Sequence, residues 1–244
     1  MQKRKYLSKK NIVFISPSNW ERECLEHSSL FHGHKCFTIP NIIPKSIFKP
    51  LDKKTIRNIL GIPKGKKIIG FGASFDINNP RGIKGSFYLL EALQKLKNKD
   101  DYFFLVFGDV NAAFASRLPL PYFSAGFITN EKILSLLYNA LDVFICPSIV
   151  ESLSLTVLEA LFSGVPSVAF DVGGVVDIIE HKKTGYLAKP YDTDDLASGI
   201  EWCLSKRSKL SKECLKKAAA DFDEEQIVTK HIEVYDLALR ESRS

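Results

Sequence analysis

The sequence predicts an α/β fold, a parallel sheet with helices on both faces, and two observations carry that prediction. Short runs rich in β-branched and aromatic residues alternate with amphipathic stretches along almost the whole chain, which is the pattern of repeated strand–helix–strand units. The runs are also nearly continuous in apolar character. Strands read that way when both of their faces are buried, as in a parallel sheet packed between helix layers.

Taken in order, NIVFIS (11–16) and KCFTIP (35–40) read as two strands around a short helix. A Pro-rich stretch, PNIIPKSIFKPLDKK (40–54), follows and reads as a linker. It divides the chain into a small N-terminal piece, residues 1–49 with the linker, and a main domain over residues 50–244. In the main domain KKIIGFG (66–72), YFFLVFG (102–108), YFSAGF (122–127), LDVFICPS (141–148), VPSVAF (165–170) and GYLA (185–188) are the expected strands, several closed by Gly or Pro. SFYLLEALQKLKN, NEKILSLLYNA, TVLEALFS and DDLASGIEWCLS carry apolar residues at three- and four-residue spacing and are the expected helices. From Asp192 onward the pattern is helical throughout, so the sheet ends there in a helical tail.

The 244 residues are 45% apolar and 25% charged, an ordinary globular mixture. The net charge of +6 comes largely from MQKRKYLSKK and scattered Lys pairs. These read as solvated surface, with contact to acidic lipid or a phosphate-bearing ligand as the sharper alternative. No basic run is interleaved with aromatics, which argues against nucleic acid as a partner. The five cysteines are odd in number and widely spaced, without a C-x-x-C pair, so they predict free thiols and a reducing, cytoplasmic compartment. No apolar stretch has the length of a membrane span.

In open parallel sheets ligands bind beyond the carboxyl ends of the strands, so the strand-to-helix loops are the places to look for chemistry. GFGASFDINNPRGIKGS (70–86) brings glycines, Arg81 and Lys84 to a helix start, where exposed amides and the positive dipole end favour a phosphate. It matches neither a P-loop nor a G-x-G-x-x-G dinucleotide pattern, and a solvated surface loop is the competing reading. In PSIVESLSLTV (147–157) the helix starts near Ser152 to Leu155, with Ser152 or Ser154 as cap and the amides near Ser154 and Leu155 free for an anion. Glu159 then lies about one turn into that helix, within reach of a ribose attached to a bound diphosphate, and Glu151 stands in the loop before it. Carboxylates accept hydrogen bonds from vicinal hydroxyls. FDVGGVVDIIE (170–180) opens a further helix with Gly173 and Gly174, either for close approach to a ligand or as a tight turn.

The stretch PSIVESLSLTVLEALFSGVPSVAFDVGGVVDIIEHKKTGYLAKPYDTDDLA, with its Glu151-x7-Glu159 pair, resembles the donor-binding signature of the family 4 glycosyltransferases. These are retaining enzymes built of two facing Rossmann-like domains, the GT-B fold, and include bacterial group 1 enzymes of polysaccharide biosynthesis. The likeness continues upstream through AGFITNEKILSLLYNALDVFICPS and GIKGSFYLLEAL to TIPNIIPKSIFKP and SPSNW, nearly the whole chain.

The resemblance implies roles for named positions. Glu159 corresponds to the acid that holds the nucleotide ribose, and Glu151 to the acid at the donor sugar. Ser154 and Leu155 match the amides that receive the diphosphate. Lys84 matches a lysine on the diphosphate, and Glu151 and Lys84 are the implied catalytic pair. Gly126, Phe127 and Ile128 match the segment beside the base. The donor would be a UDP- or GDP-linked sugar, with no cofactor and no metal. The acceptor would be a saccharide or a lipid-linked saccharide, which extends the expected cytoplasmic location to peripheral attachment at the inner membrane face.

Three departures qualify the match. Where the family has Gly-Arg this chain has Gly72-Ala73, leaving Arg81 as the substitute phosphate cation. The usual Phe-Gly after the first glutamate is Leu153-Ser154. The acceptor domain is represented only by its expected last strand and helix within residues 1–49. The family's catalytic histidine belongs to the part not represented, and His27, His32, His34, His181 and His231 have no matching context. The expected function is therefore donor binding, with little transfer by this chain alone. The rival readings are a non-catalytic nucleotide-sugar-binding subunit and a nucleotide-sugar epimerase of the same fold.

Overall fold

A computed structural model describes residues 12–72, 82–108, 110 and 112–241. Each of the eight expected strands forms: β1 (Val13–Ser16), β2 (Lys35–Thr38), β3 (Lys67–Gly72), β4 (Tyr102–Phe107), β5 (Tyr122–Ser124), β6 (Val143–Cys146), β7 (Ser167–Phe170) and β8 (Gly185–Ala188). The first two make a separate parallel pair, and the other six form one sheet in the order β5-β4-β3-β6-β7-β8. Every pairing in it is parallel. Numbered from β3, this order is 3-2-1-4-5-6, the doubly wound Rossmann arrangement. Its direction of winding reverses between β3 and β6, so a crevice opens beyond the carboxyl ends of those two strands.

The helices are α1 (Asn19–Glu26), α2 (Lys53–Ile59), α3 (Ser86–Lys95), α4 (Ala112–Ala115), α5 (Glu131–Ala140), α6 (Leu155–Phe162), α7 (Val175–Ile178), α8 (Thr193–Asp221) and α9 (Glu224–Glu241). Alternate strand residues enter two cores, as the period of two requires. Ile68, Leu105 and Phe144 pack with Tyr138 of α5, Leu158 of α6 and Ile227 of α9. Ile69, Phe104 and Ile145 pack on the other face with Leu89 and Leu93 of α3 and Ile200 of α8. The 29-residue α8 serves both faces: Leu196 to Leu210 lie in the second core, Cys214 and Ala218 in the first. The near-continuous apolar strands thus have the physical cause expected of them.

The Pro-rich segment is packed in place. Ile43 and Phe48 are buried in the first core, with Ile39 just ahead of them. Asn139 of α5 donates to Lys49 O (3.0 Å) and accepts from Leu51 N (2.7 Å), and Ser135 Oγ donates to Ile47 O (2.8 Å). The N-terminal βαβ piece is anchored as well, because Asn19 N donates to Asp177 Oδ2 of α7 at 2.7 Å.

One charged cluster ties the helices to the sheet. Asp142, fully buried at the start of β6, meets Arg57 (2.7 Å), Arg207 (2.9 Å) and Lys53 (3.2 Å) and accepts from Ile68 N (2.8 Å). Burial alone would raise its pKa. The charges of Lys53 and Arg57 overcome that and hold it below the usual carboxylate value. All five cysteines carry free thiols, and no helix among the described residues is long and apolar enough to cross a membrane.

Candidate functional site

The crevice at the β3/β6 reversal is where the singled-out residues meet. Gly72 ends β3, and Pro147 and Ser148 follow β6. Two adjoining cavities open there. The larger, about 830 Å³, is lined by Gly72, Phe107, Gly126, Phe127, Ile128, Leu155, Thr156 and Glu159. The smaller, about 220 Å³, is lined by Gly72, Lys84, Ser148, Glu151 and Thr156 among others. Gly72 and Thr156 line both, so the two form one continuous site. Arg81 lies outside the described residues, so its place relative to this site is not described. None of the five histidines lines either cavity.

The loops that bring these groups together are locked by backbone contacts. Gly85 has φ = 66°, and a Cβ there would stand 1.8 Å from Pro147 O. Only glycine lets the 82–85 turn lie so close to the end of β6. Ile149 N donates to Ile83 O (2.9 Å) beside that contact, and Lys84 Nζ consequently reaches Glu151 Oε2 at 2.9 Å. The lysine is half exposed and the glutamate mostly buried, with 14% of its side chain exposed. The Gly173–Gly174 pair allows a close approach of backbone. What approaches is the chain itself: Cβ atoms there would meet Glu151 O at 2.1 Å and Ser152 O at 1.8 Å. Gly174 N donates to Glu151 O (2.8 Å), so these glycines hold the loop that carries Glu151.

Ser154 is the N-cap residue of α6, yet its side chain makes no cap bond. Its Oγ instead lies 3.0 Å from Thr156 Oγ1 and 3.6 Å from Cys146 Sγ. The α6 amides are therefore left without the usual side-chain acceptor, and Leu155 at the helix mouth is exposed. An uncapped N-terminus facing a cavity suits an anion, since amides and dipole both point at it.

Glu159, one turn in, is only partly exposed and accepts from the Tyr138 hydroxyl at 2.7 Å. Burial pushes its carboxyl up to about 7. The Tyr138 hydrogen bond pulls the other way, and the charge of Glu131 adds to the rise. Phe127 is 79% exposed at the rim of the larger cavity, an open aromatic surface beside Gly126 and Ile128.

The structure thus gathers Gly72, Lys84, Gly126, Phe127, Ile128, Glu151, Leu155 and Glu159 around one crevice, with Ser154 at the start of α6 beside it. It also adds Thr156 and Tyr138, which the sequence reading missed. Thr156 had a local signal, a hydroxyl in the first turn after an uncapped helix start. Tyr138 had none, because its contact with Glu159 joins two helices across 21 residues. Chemically the crevice offers an open surface, a carboxylate for hydroxyls, a helix N-terminus with a lysine, and a second carboxylate beyond them.

Known proteins resemble this chain in sequence and in fold. An uncharacterized glycosyltransferase from Methanocaldococcus jannaschii is 26% identical over 200 residues, covering 77% of this chain and 49% of that protein. The N-acetyl-alpha-D-glucosaminyl L-malate synthase of Bacillus anthracis is 25% identical over 218 residues, covering 85% and 55%. The chain therefore spans about half the length of the curated relatives it matches. Among solved structures, a glycosyltransferase from Rickettsia africae superimposes with a TM-score of 0.82 at 22% identity, over 97% of this chain and 66% of that one. An Anabaena protein solved in complex with UDP and glucose superimposes with a TM-score of 0.78 at 20% identity, over 96% and 66%. These neighbours share the GT-B fold, of which the six-stranded sheet forms one half. The family model of the glycosyl transferases group 1 matches residues 52–221, more than half of the sequence, and the chain belongs to that family.

Proposed function

We propose that this domain binds a nucleoside-diphosphate sugar and acts as the donor half of a retaining, metal-independent glycosyltransferase. The observation that carries the reading is the arrangement of Glu159, the uncapped start of α6 and the Lys84–Glu151 pair along one crevice. A nucleotide placed with its base at Gly126–Ile128 and its ribose at Glu159 sets its diphosphate on the amides of Ser154 and Leu155. Lys84 then neutralises the diphosphate, and Glu151 meets the hydroxyls of the sugar. When the bond from sugar to diphosphate breaks, negative charge grows on the leaving oxygen. A positioned lysine and helix amides stabilise that charge without reorganising, which is the support for a reaction needing no metal.

The UDP bound by the Anabaena neighbour supports a uridine or related donor. The saccharide or lipid-linked acceptor, and its seat in a second domain toward the N-terminal side, follow from the family resemblance and from the greater length of the relatives. Peripheral contact with an anionic membrane surface follows from the family resemblance and the net charge of +6.

Thermal-shift measurements with UDP, GDP, ADP and their sugars test the reading. Stabilisation by one nucleotide series is expected, and no response to any overturns it. Incubation of the chain with the responding donor, with and without an acceptor, separates the rivals. Little transfer and no conversion of donor is expected, whereas a new sugar epimer without acceptor would make the protein an epimerase.

A further inference from the structure

The proposed donor site leaves one buried group without a role. Tyr138 is fully buried, and its ring is wedged edge-on against Phe48, Phe107 and Phe144 at centroid distances of 6.2, 5.2 and 5.4 Å. A buried phenol in so apolar a frame needs a partner for its hydroxyl. Its partner is Glu159 Oε2, 2.7 Å away, on the carboxylate that lines the larger cavity. Phe107 belongs to both settings: it packs on Tyr138 and lines that same cavity. The hydroxyl is thus held by three rings and aimed at one oxygen of one acid.

We infer that Tyr138 is a positioning residue for the nucleotide, holding one oxygen of Glu159 so that the other is left to accept from the ribose hydroxyls. This rests on the reading of the crevice as a nucleotide site. Two χ angles and a buried ring fix the tyrosine far better than solvent fixes a carboxylate on a helix. The hydrogen bond therefore orients the acid before the ligand arrives, and less ordering remains for binding to accomplish.

The same bond couples nucleotide affinity to pH. An ionised Glu159 accepts two ribose hydroxyl donors, whereas a protonated one has lost part of that capacity. The tyrosine hydroxyl favours the ionised form, opposing burial and the charge of Glu131 on α5. Among the described residues the other titratable group acting on the pair is Cys146 of β6, through Tyr138.

The test is calorimetric titration of the responding nucleoside diphosphate into the wild type, Tyr138→Phe and Glu159→Gln between pH 5.5 and 8.5. Glu159→Gln keeps the titration of the ligand's own phosphate and supplies the baseline. Wild-type affinity, relative to that baseline, is expected to rise with pH through a midpoint near neutrality. In Tyr138→Phe, which keeps the ring, the midpoint moves to higher pH. Affinity at pH 7 falls about three- to tenfold, the worth of one hydrogen bond, and recovers only in part at pH 8.5, where the ionised acid is no longer held in place.

A Tyr138→Phe curve that superimposes on wild type overturns the inference, and so does one lowered equally at every pH, because a space-filling role would give either. A wild-type profile parallel to Glu159→Gln overturns it as well. Failure of the wild type to bind any nucleotide overturns the donor-site reading itself. Far-ultraviolet circular dichroism confirms that each variant is folded. If Tyr138→Phe does not fold, 3-fluorotyrosine placed at position 138, whose more acidic hydroxyl donates more strongly, is expected to move the midpoint to lower pH, and an unchanged midpoint overturns the inference.

Discussion

Lys84 Nζ lies 2.9 Å from Glu151 Oε2, joining a loop after β3 to a loop after β6 across 67 residues. Both residues line the smaller cavity, so each member is at once the other's partner and a candidate ligand group. On the proposed reading, a diphosphate arriving at α6 would compete with Glu151 for the lysine. Release of the glutamate would then free it for the sugar's hydroxyls.

That competition predicts a selective loss. Lys84→Ala should leave nucleoside affinity unchanged and weaken the nucleoside diphosphate by about 10- to 100-fold, the worth of one charge-assisted hydrogen bond. Parallel calorimetry with nucleoside and diphosphate checks this. Equal weakening of both would mean that the lysine shapes the crevice instead of holding phosphate.

Gly85→Ala should destabilise the fold by on the order of 2 kcal/mol, since it combines a left-handed residue with a backbone clash. The contact it disturbs, against Pro147 O, also places Lys84. Urea denaturation should therefore show a lower midpoint, and nucleotide affinity should fall in the same variant. An unchanged midpoint would show that the 82–85 turn relaxes freely and does not lock the site.

Asp142→Asn should cost about 3 kcal/mol, because Arg57 and Lys53 would lose the charge of a buried partner. The native carboxyl titrates below its unfolded value. Its contribution is thus present above about pH 4 and lost as pH falls through the lowered native pKa. Chemical denaturation at pH 7 and pH 3 should show the variant losing less stability on acidification than the wild type. A larger loss in the variant would contradict the cluster's assigned role.

Glu159 works in the opposite sense. Its native pKa is raised to about 7, so between its unfolded value and 7 the native state binds the extra proton. Its contribution therefore becomes less favourable as pH rises through that window. Glu159→Gln should raise the melting temperature at pH 8 by about 2–4 °C and change it little at pH 4.5. A gain of the same size at both pH values would assign the effect to packing.

The strands and the acids of the site were legible along the chain for a local reason. The central strands of the six-stranded sheet are buried on both faces, so YFFLVFG announces itself as an apolar run. The Glu151-x7-Glu159 pair brackets a single loop and helix start, and its spacing alone puts one acid at the mouth and the other a turn inside. Sheet order was not legible, because parallel pairing joins residues tens of positions apart and leaves no periodic trace. The Pro-rich segment reads as a spacer because its buried residues, Ile43 and Phe48, lie five positions apart among prolines and follow neither a helical nor a strand period.

The sequence alone therefore carried the α/β class, the eight strands and the identity of the carboxylates and the lysine. The tertiary structure decided the rest: the reversal between β3 and β6 that opens the crevice, the glycines that clear space for neighbouring backbone, and the tyrosine behind Glu159. The division has one cause. Propensity and amphipathic period act between near neighbours in the chain, whereas a site's geometry and the protonation of its acids depend on packing between distant segments.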